Sequence, residues 1–192
     1  MPRCIRTLVL VLALSSLGGC GAVGAAATPE TAVQRAQREL QQLQIVGVRH
    51  FGDYAVVLYT GQQRKGAGGD VQRMLGYSFV ARTASGWRAE NSGAFGSTAP
   101  PDPAMKLSIG SGTTQTDTER RTIVYGQALD PAIVAVEATF DDGRTARDEV
   151  TNGVFALVMI GAKQACAVRA FDERGGEIKL PDQLASPIAP GC

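Results

Sequence analysis

The sequence predicts a mainly β protein: a small α+β module, with one helix and an antiparallel meander, followed by a β-sandwich. Beyond residue 28, apolar residues recur at helical spacing in one segment only, while short β-rich runs separated by turn residues fill the rest. The Gly-, Ser- and Pro-rich stretch 92–104 is typical of a linker. We therefore expect an α+β domain at 29–97 and a sandwich domain at 104–192.

The predicted helix starts at Thr28-Pro29-Glu30, which supplies a hydroxyl cap, a proline at the first helical position and an acid in the first turn. The apolar residues at helical spacing are Val33, Ala36, Leu40 and Leu43. An amphipathic helix of this kind is expected to cover one face of a small sheet.

Four strands are predicted for that sheet, at 45–51, 54–60, 71–82 and 87–90. The pair Gly52-Asp53 is a tight-turn signal between the first two, and 61–70 forms a polar loop. By alternation Leu75, Tyr77 and Phe79 share one face, which we expect to be buried under the helix.

About seven short strands are predicted after the linker, which is the pattern of a β-sandwich. Val134, Val136, Ala138 and Phe140 alternate onto one face, and "VFALVMI" (154–160) is apolar on both faces, as in a central strand. In "ACAVRAF" (165–171), Cys166, Val168 and Ala170 are expected to share a face.

The N-terminus reads as an export signal. Arg3 and Arg6 precede a run of about ten apolar residues, which is too short to span a bilayer. The run ends in Leu17-Gly18-Gly19-Cys20, which resembles the lipobox of bacterial lipoproteins. An ordinary signal peptide with a nearby cysteine is the alternative.

That resemblance implies that residues 1–19 are removed and that Cys20 receives a diacylglycerol with palmitate-type chains. Two or more chains hold a protein stably on a membrane, whereas one does not. Residues 20–28 would then be a short lipidated tether on the extracytoplasmic side. In a cell with two membranes, the resemblance favours the outer one.

Two cysteines remain after Cys4 and Cys20 are accounted for, namely Cys166 and Cys192. An even pair in an oxidising compartment predicts a disulfide between them. Two free thiols, or a bond to another chain, are the alternatives.

The second half also resembles bacterial immunoglobulin-like and similar extracellular sandwich modules. The segments that carry the likeness are "YGQALDPAIVAVEATFDDGRT", "VTNGVFALVMIG" and "CAVRAFDERGGEI". They cover about 60 residues and consist of turns and core positions, so they imply a fold and not an activity. Residues 28–96 resemble no family that we can name.

Charge excludes one class of partner. Without residues 1–19 the chain has 17 basic and 18 acidic residues, a net charge of −1 with no basic stripe, so nucleic acid is not expected to bind. Residues 28–100 carry +3 and residues 101–192 carry −4, and opposite charges could draw the halves together.

The sequence offers little catalytic chemistry. His50 is the only histidine, no CxxC motif is present, and no nucleophile motif accompanies His50. We therefore expect no catalytic residues, no metal and no cofactor. Among the aromatic residues, Trp87 lies beside a turn and is the best candidate for a ligand contact.

These observations predict a non-enzymatic, lipid-anchored envelope protein that works as a binding or adaptor module. Its partner could be another envelope protein, a peptide or a glycan. The alternatives are an envelope hydrolase or accessory subunit that uses His50, and a structural spacer.

Overall fold

The structure is a computed structural model that describes residues 25–64, 69–97, 102, 104–116 and 118–180. It is mainly β, with one short helix and antiparallel sheets, as the sequence predicts. The elements are α1 (Pro29–Ala36), β1 (Gln41–Phe51), β2 (Tyr54–Arg64), β3 (Val71–Thr83), β4 (Gly86–Ser97), β5 (Leu107–Gln115), β6 (Arg120–Ala128), β7 (Ala135–Phe140), β8 (Thr145–Glu149), β9 (Val154–Ile160), β10 (Ala165–Phe171) and β11 (Glu177–Ile178).

Helix α1 begins where the sequence predicts and ends earlier. The backbone N–H of Thr31 donates to Oγ1 of Thr28 at 3.2 Å, which caps the first turn. The helix stops at Ala36, so the expected continuation through Leu40 and Leu43 is wrong. Leu43 lies instead in β1, which pairs with β2 from Gln41 onward, and this pairing takes the backbone groups that a longer helix would need.

The first sheet, sheet A, is the expected meander in the order β1-β2-β3-β4. Its strands are longer than predicted, and β4 continues through Ser97, so residues 92–97 are strand and not linker. Helix α1 covers one face, where Val33 packs with Val57, Tyr59 and Val80.

The opposite face of sheet A carries Leu75, Tyr77 and Phe79, so the prediction that these residues lie under the helix is wrong. They pack against Ile123 and Tyr125 of the second half. Alternation separates the two faces of a strand but does not say what covers each one. Both faces of sheet A are apolar because both are covered.

The second half is a sandwich of two antiparallel sheets: sheet B, ordered β5-β6-β9, and sheet C, ordered β11-β10-β7-β8. Immunoglobulin domains name their seven strands a to g in chain order, which here correspond to β5 to β11. Sheet B then contains strands a, b and e, and sheet C contains strands g, f, c and d. In constant-type immunoglobulin domains strand d pairs in the sheet of a, b and e, whereas here the corresponding strand, β8, lies in the other sheet.

Sheet B is buried on both faces. On one side Val124, Phe155 and Leu157 meet sheet C, and on the other Ile123, Tyr125 and Ala156 meet sheet A. Strand β9 is therefore apolar on both faces although it lies at an edge of sheet B and not at its centre as we expected. The layers run α1, sheet A, sheet B, sheet C.

Strand β10 has a register irregularity between Ala165 and Ala167. Ala165 joins Val168 and Ala170 in the core, whereas Cys166 is half-buried and lies outside that cluster. The expected common face of Cys166, Val168 and Ala170 is therefore wrong, because a bulge of this kind shifts the alternation by one residue.

Several predictions concern residues that the structure does not describe: the signal 1–19, Cys20 with most of the tether, Cys192, and most of the stretch 98–103. They stay predictions. Within the described part of the chain, no helix is long and apolar enough to cross a bilayer.

Candidate functional site

A cleft lies at the seam between the two halves. Its volume is about 420 Å³, and it opens between β4 of sheet A and the end of β5 of sheet B. We call it the seam cleft. It is lined by Phe79, Arg88, Ala89, Glu90, Asn91, Thr114, Gln115 and Thr116. Six of these eight side chains can donate or accept hydrogen bonds, so the cleft suits a polar ligand.

Two edge strands form the walls of the seam cleft. Strand β4 is the last strand of sheet A and β5 the first strand of sheet B. An edge strand presents N–H and C=O groups that no further strand of its sheet pairs with. Outside strand pairing, the backbone of Trp87 in β4 bonds to that of Ala26.

A buried arginine, Arg121, lies beside the seam cleft. It is 9% exposed, and its guanidinium carbon lies 4.3 Å from the ring centroid of Tyr54 and 5.7 Å from that of Phe79. It donates to Glu119 and, at 3.3 Å, to Oε2 of Glu90, which also lines the cleft. Arg121 thus ties strand β6 of the second half to strand β4 of the first.

A second ion pair joins the halves at the opposite edge of sheet A, on strand β1. Nε of Arg49 donates to both carboxylate oxygens of Asp148, at 3.0 and 2.9 Å. Asp148 also accepts the N–H of Ala156 at 2.9 Å. The Arg49–Asp148 pair has the polarity that the opposite charges of the halves predict, whereas Arg121–Glu90 has the reverse polarity. The rest of the seam is mainly apolar.

Glycines in β5 let aromatic rings of sheet A approach the backbone of sheet B. A Cβ on Gly110 would lie 2.3 Å from Cδ1 of Phe95, and one on Gly112 would lie 2.5 Å from the hydroxyl oxygen of Tyr77. Tyr77 and Phe95 also contact the ring of Tyr125, with centroids at 4.8 and 5.4 Å. The facing surfaces of the two halves are therefore complementary in shape.

Trp87 and His50 lie together on the helix-covered face of sheet A. Their ring centroids are 6.0 Å apart with the rings edge-on. Trp87 is half-buried and His50 exposed. The Arg82 guanidinium lies 5.9 Å from the indole centroid. Trp87 is therefore accessible in part, but it lies outside the lining of the seam cleft.

All four tyrosines of the chain, Tyr54, Tyr59, Tyr77 and Tyr125, are buried. Burial raises the pKa of each phenol because it penalises the phenolate, and it raises that of Tyr59 to about 12. Near Tyr54, Arg121 acts in the opposite direction and lowers the pKa. These phenols stay neutral at physiological pH.

Outside the seam cleft, the described residues offer scattered His, Cys, Asp and Glu side chains and a further cleft. No group of three or more His, Cys, Asp or Glu in that part of the chain could hold a metal ion. A second cleft, of about 370 Å³, lies at one end of the sandwich between Pro131, Val150 and Gly153. It contains neither His50 nor a cysteine.

The structure brings together only some of the residues that the sequence singles out. Trp87 and His50 are neighbours, while Cys166 lies on sheet C, two layers from sheet A. Sequence reasoning missed Arg121, Glu90 and Glu119. The only local signal is the position of Arg121 just before the apolar run of β6. From the sequence, a charge at that position is expected to face the solvent.

No family model, no curated protein and no solved structure matches the chain. What it does is therefore inferred from its own geometry.

Proposed function

We propose that this protein is a lipid-anchored module of the cell envelope that binds an extended polar ligand in the seam cleft and has no catalytic activity of its own. The seam cleft is the observation that carries the proposal. It combines polar side chains from both halves with two edge strands, and it lies beside the Arg121 network, which holds Glu90 in place.

A peptide segment of another envelope protein fits this site better than a glycan does. A peptide can pair its backbone with an edge strand, and its side chains can reach polar groups on either side. Arg88 and Asn91 are exposed on β4, and Gln115 is exposed on β5. Glycan platforms usually present open aromatic faces, whereas the one aromatic residue in this lining, Phe79, is fully buried.

The lipid anchor is supported by Leu17-Gly18-Gly19-Cys20 and the apolar run before it. Native protein purified in detergent should exceed the mass of the 20–192 polypeptide by its acyl chains. Cys20→Ser should move the protein from the membrane fraction to the soluble one. An unmodified mass for the membrane form would refute the anchor.

Ligand binding is tested by capture from detergent-solubilised membranes followed by a variant pair. Asn91→Ala with Gln115→Ala removes two exposed cleft side chains and should weaken retention of the captured protein. Gln44→Ala is the matched control, because Gln44 is exposed on β1, at the opposite edge of sheet A. Equal retention by both variants would place the ligand elsewhere, and no captured protein at all would favour a spacer.

The hydrolase alternative predicts a different pattern. His50→Ala would abolish any hydrolytic activity of the envelope fraction that depends on this protein. In the binding proposal it leaves retention of the ligand unchanged, because His50 does not line the seam cleft. The same variant therefore separates the two functions.

A further inference from the structure

Ala25 and Ala26, which precede α1, lie beside Trp87 and point to a second contact. Ala26 forms two backbone hydrogen bonds with Trp87, of 2.7 and 2.8 Å, and Nη1 of Arg35 donates to the carbonyl oxygen of Ala25 at 3.5 Å. The N-terminal segment therefore emerges directly beside Trp87, with Arg82 at the same ring. We call Arg35, His50, Arg82 and Trp87 the exit surface.

We propose that the exit surface rests on anionic lipid headgroups, with Trp87 at the membrane interface. This inference rests on the proposed lipid anchor at Cys20. Four residues separate Cys20 from Ala25, and even when fully extended the five Cα-to-Cα steps between them span at most about 18 Å. Trp87, paired with Ala26, is therefore held within a short distance of the lipid.

The chemistry of the exit surface suits that position. Tryptophan is enriched where protein meets the headgroups, because its ring is apolar and its N–H is polar. Arg35 and Arg82 are both exposed, and each arginine close to an anionic leaflet is attracted to it.

Acidic groups near the exit surface oppose this attraction, and one of them, Glu39, is exposed in the turn after α1. Glu30 lies in the first turn of α1 and is half-buried, and Asp53 is in the turn after His50. The outer sheet of the sandwich, sheet C, is separated from α1 by sheets A and B, and residues 101–192 carry net −4. The more basic half is thus the half nearest to the anchor, and the acidic half points away from a negative surface.

The experiment uses the single tryptophan of the chain, Trp87, as its reporter. Purified lipidated protein is reconstituted into phosphatidylcholine vesicles with and without phosphatidylglycerol, each containing lipid brominated near the headgroup end of the acyl chain. We expect strong quenching of Trp87 fluorescence in the anionic vesicles. Quenching should weaken in high salt, because salt screens exposed charges beyond about 8–10 Å at physiological strength and at shorter range above it.

Charge reversal supplies the matched comparison. The ratio of docked to undocked protein should fall by more than about fivefold in Arg35→Glu and in Arg82→Glu, because losing one positive charge costs about fivefold and the glutamate adds a repelled negative charge. Arg174→Glu is the control, because Arg174 is exposed in the turn between β10 and β11 of sheet C, and it should leave quenching unchanged. Far-UV circular dichroism checks that each variant is folded.

The outcomes separate this inference from the proposed anchor. Protein that has the acylated mass and floats with the vesicles, but shows unquenched Trp87, overturns the docking and leaves the anchor intact. Equal quenching in neutral and anionic vesicles would show that the exit surface does not depend on anionic headgroups, and would overturn that part of the proposal. Protein without acyl chains that fails to float overturns the anchor and the docking together.

Discussion

Arg121 shows how one residue connects the two halves. It lies against the rings of Tyr54 and Phe79 and pairs with Glu119 and Glu90. A buried arginine is tolerated only when its donors are satisfied and its charge is balanced. Here the balance comes from one carboxylate of each half.

Replacing Arg121 should therefore weaken the fold as well as the cleft. In Arg121→Met the two carboxylates lose their common partner, and we expect the free energy of unfolding to fall by about 2 kcal/mol, below the full cost of a wholly buried pair because both glutamates are partly exposed. Urea denaturation measures it. Arg120→Met, at the neighbouring position whose side chain donates to Gln115, should cost much less, and equal losses would contradict this account.

The tyrosines give a prediction about pH. Because burial holds their pKa values above the ordinary value near 10, the folded protein should show little tyrosinate absorbance at pH 10. In the unfolded protein, whose phenols have the ordinary pKa of about 10, about half of them should be ionised at that pH. Folding favours the neutral phenols. Their contribution to the free energy of unfolding is therefore complete below about pH 10 and is lost as the pH rises towards 12.

Ultraviolet titration of native and urea-unfolded protein checks this directly. Tyr59→Phe removes one of the shifted groups and should make the alkaline loss of stability less steep. A native titration curve that overlays the unfolded one would show that the phenols are open to solvent.

At the scale of the elements, the glycines of β5 are explained by the packing of sheet A against that strand. Gly110 and Gly112 alternate on the face turned towards sheet A, where Phe95 and Tyr77 occupy the space that side chains would take. Glycine normally weakens a strand. Its presence here is explained by the close approach of two aromatic rings.

Gly110→Val should therefore destabilise the protein even though valine favours strands. Its side chain would collide with the ring of Phe95, and overpacking of this kind costs roughly 1–3 kcal/mol. Ser111→Val is the matched control, because Ser111 is exposed on the same strand. Thermal denaturation should show a loss for the first and almost none for the second, and the reverse order would refute the packing explanation.

At the scale of the whole molecule, sheet B is an internal layer shared by both halves. Its residues face sheet A on one side and sheet C on the other. A sandwich without sheet A would expose Ile123, Tyr125 and Val154 to water. Covering them contributes about 25 cal/mol for each Å² of apolar surface, so the halves stabilise each other.

We therefore expect the two halves to unfold together. Calorimetry of the mature chain should show a single heat transition, with equal calorimetric and van't Hoff enthalpies. The transition should shift little with salt, since the seam is mainly apolar. Two separate transitions, or strong loss of stability in high salt, would indicate halves that are docked by charge alone.

The predicted disulfide also acts on the whole molecule. A Cys166–Cys192 bond would close a loop of 27 residues, worth roughly 3.5 kcal/mol in the chain-entropy account. Cys192→Ser should then lower the melting temperature by about 10 °C. Cys166→Ser should have a similar effect, and the double variant should be no worse than either single one. A non-reducing peptide map without the cross-link would contradict the prediction.

The sequence by itself determined the local structure of this protein. Thr28 and Pro29 specify the start of the helix through groups within one turn, and alternation with turn residues specifies an antiparallel, mainly β chain. These features depend on neighbours a few residues apart, so they can be read without a fold. The resemblance of Leu17-Gly18-Gly19-Cys20 to a lipobox is local in the same sense, and it predicts where in the cell the protein lies.

Only the tertiary structure decided what each apolar face meets. Leu75, Tyr77 and Phe79 could be assigned to one face, but their partner is sheet B and not the helix. Residues far apart in sequence, such as Arg121 and Glu90 or Arg49 and Asp148, form the seam. Periodicity indicates which residues are buried but not which element covers them. The seam cleft depends on how sheets A and B pack, so only the tertiary structure shows it.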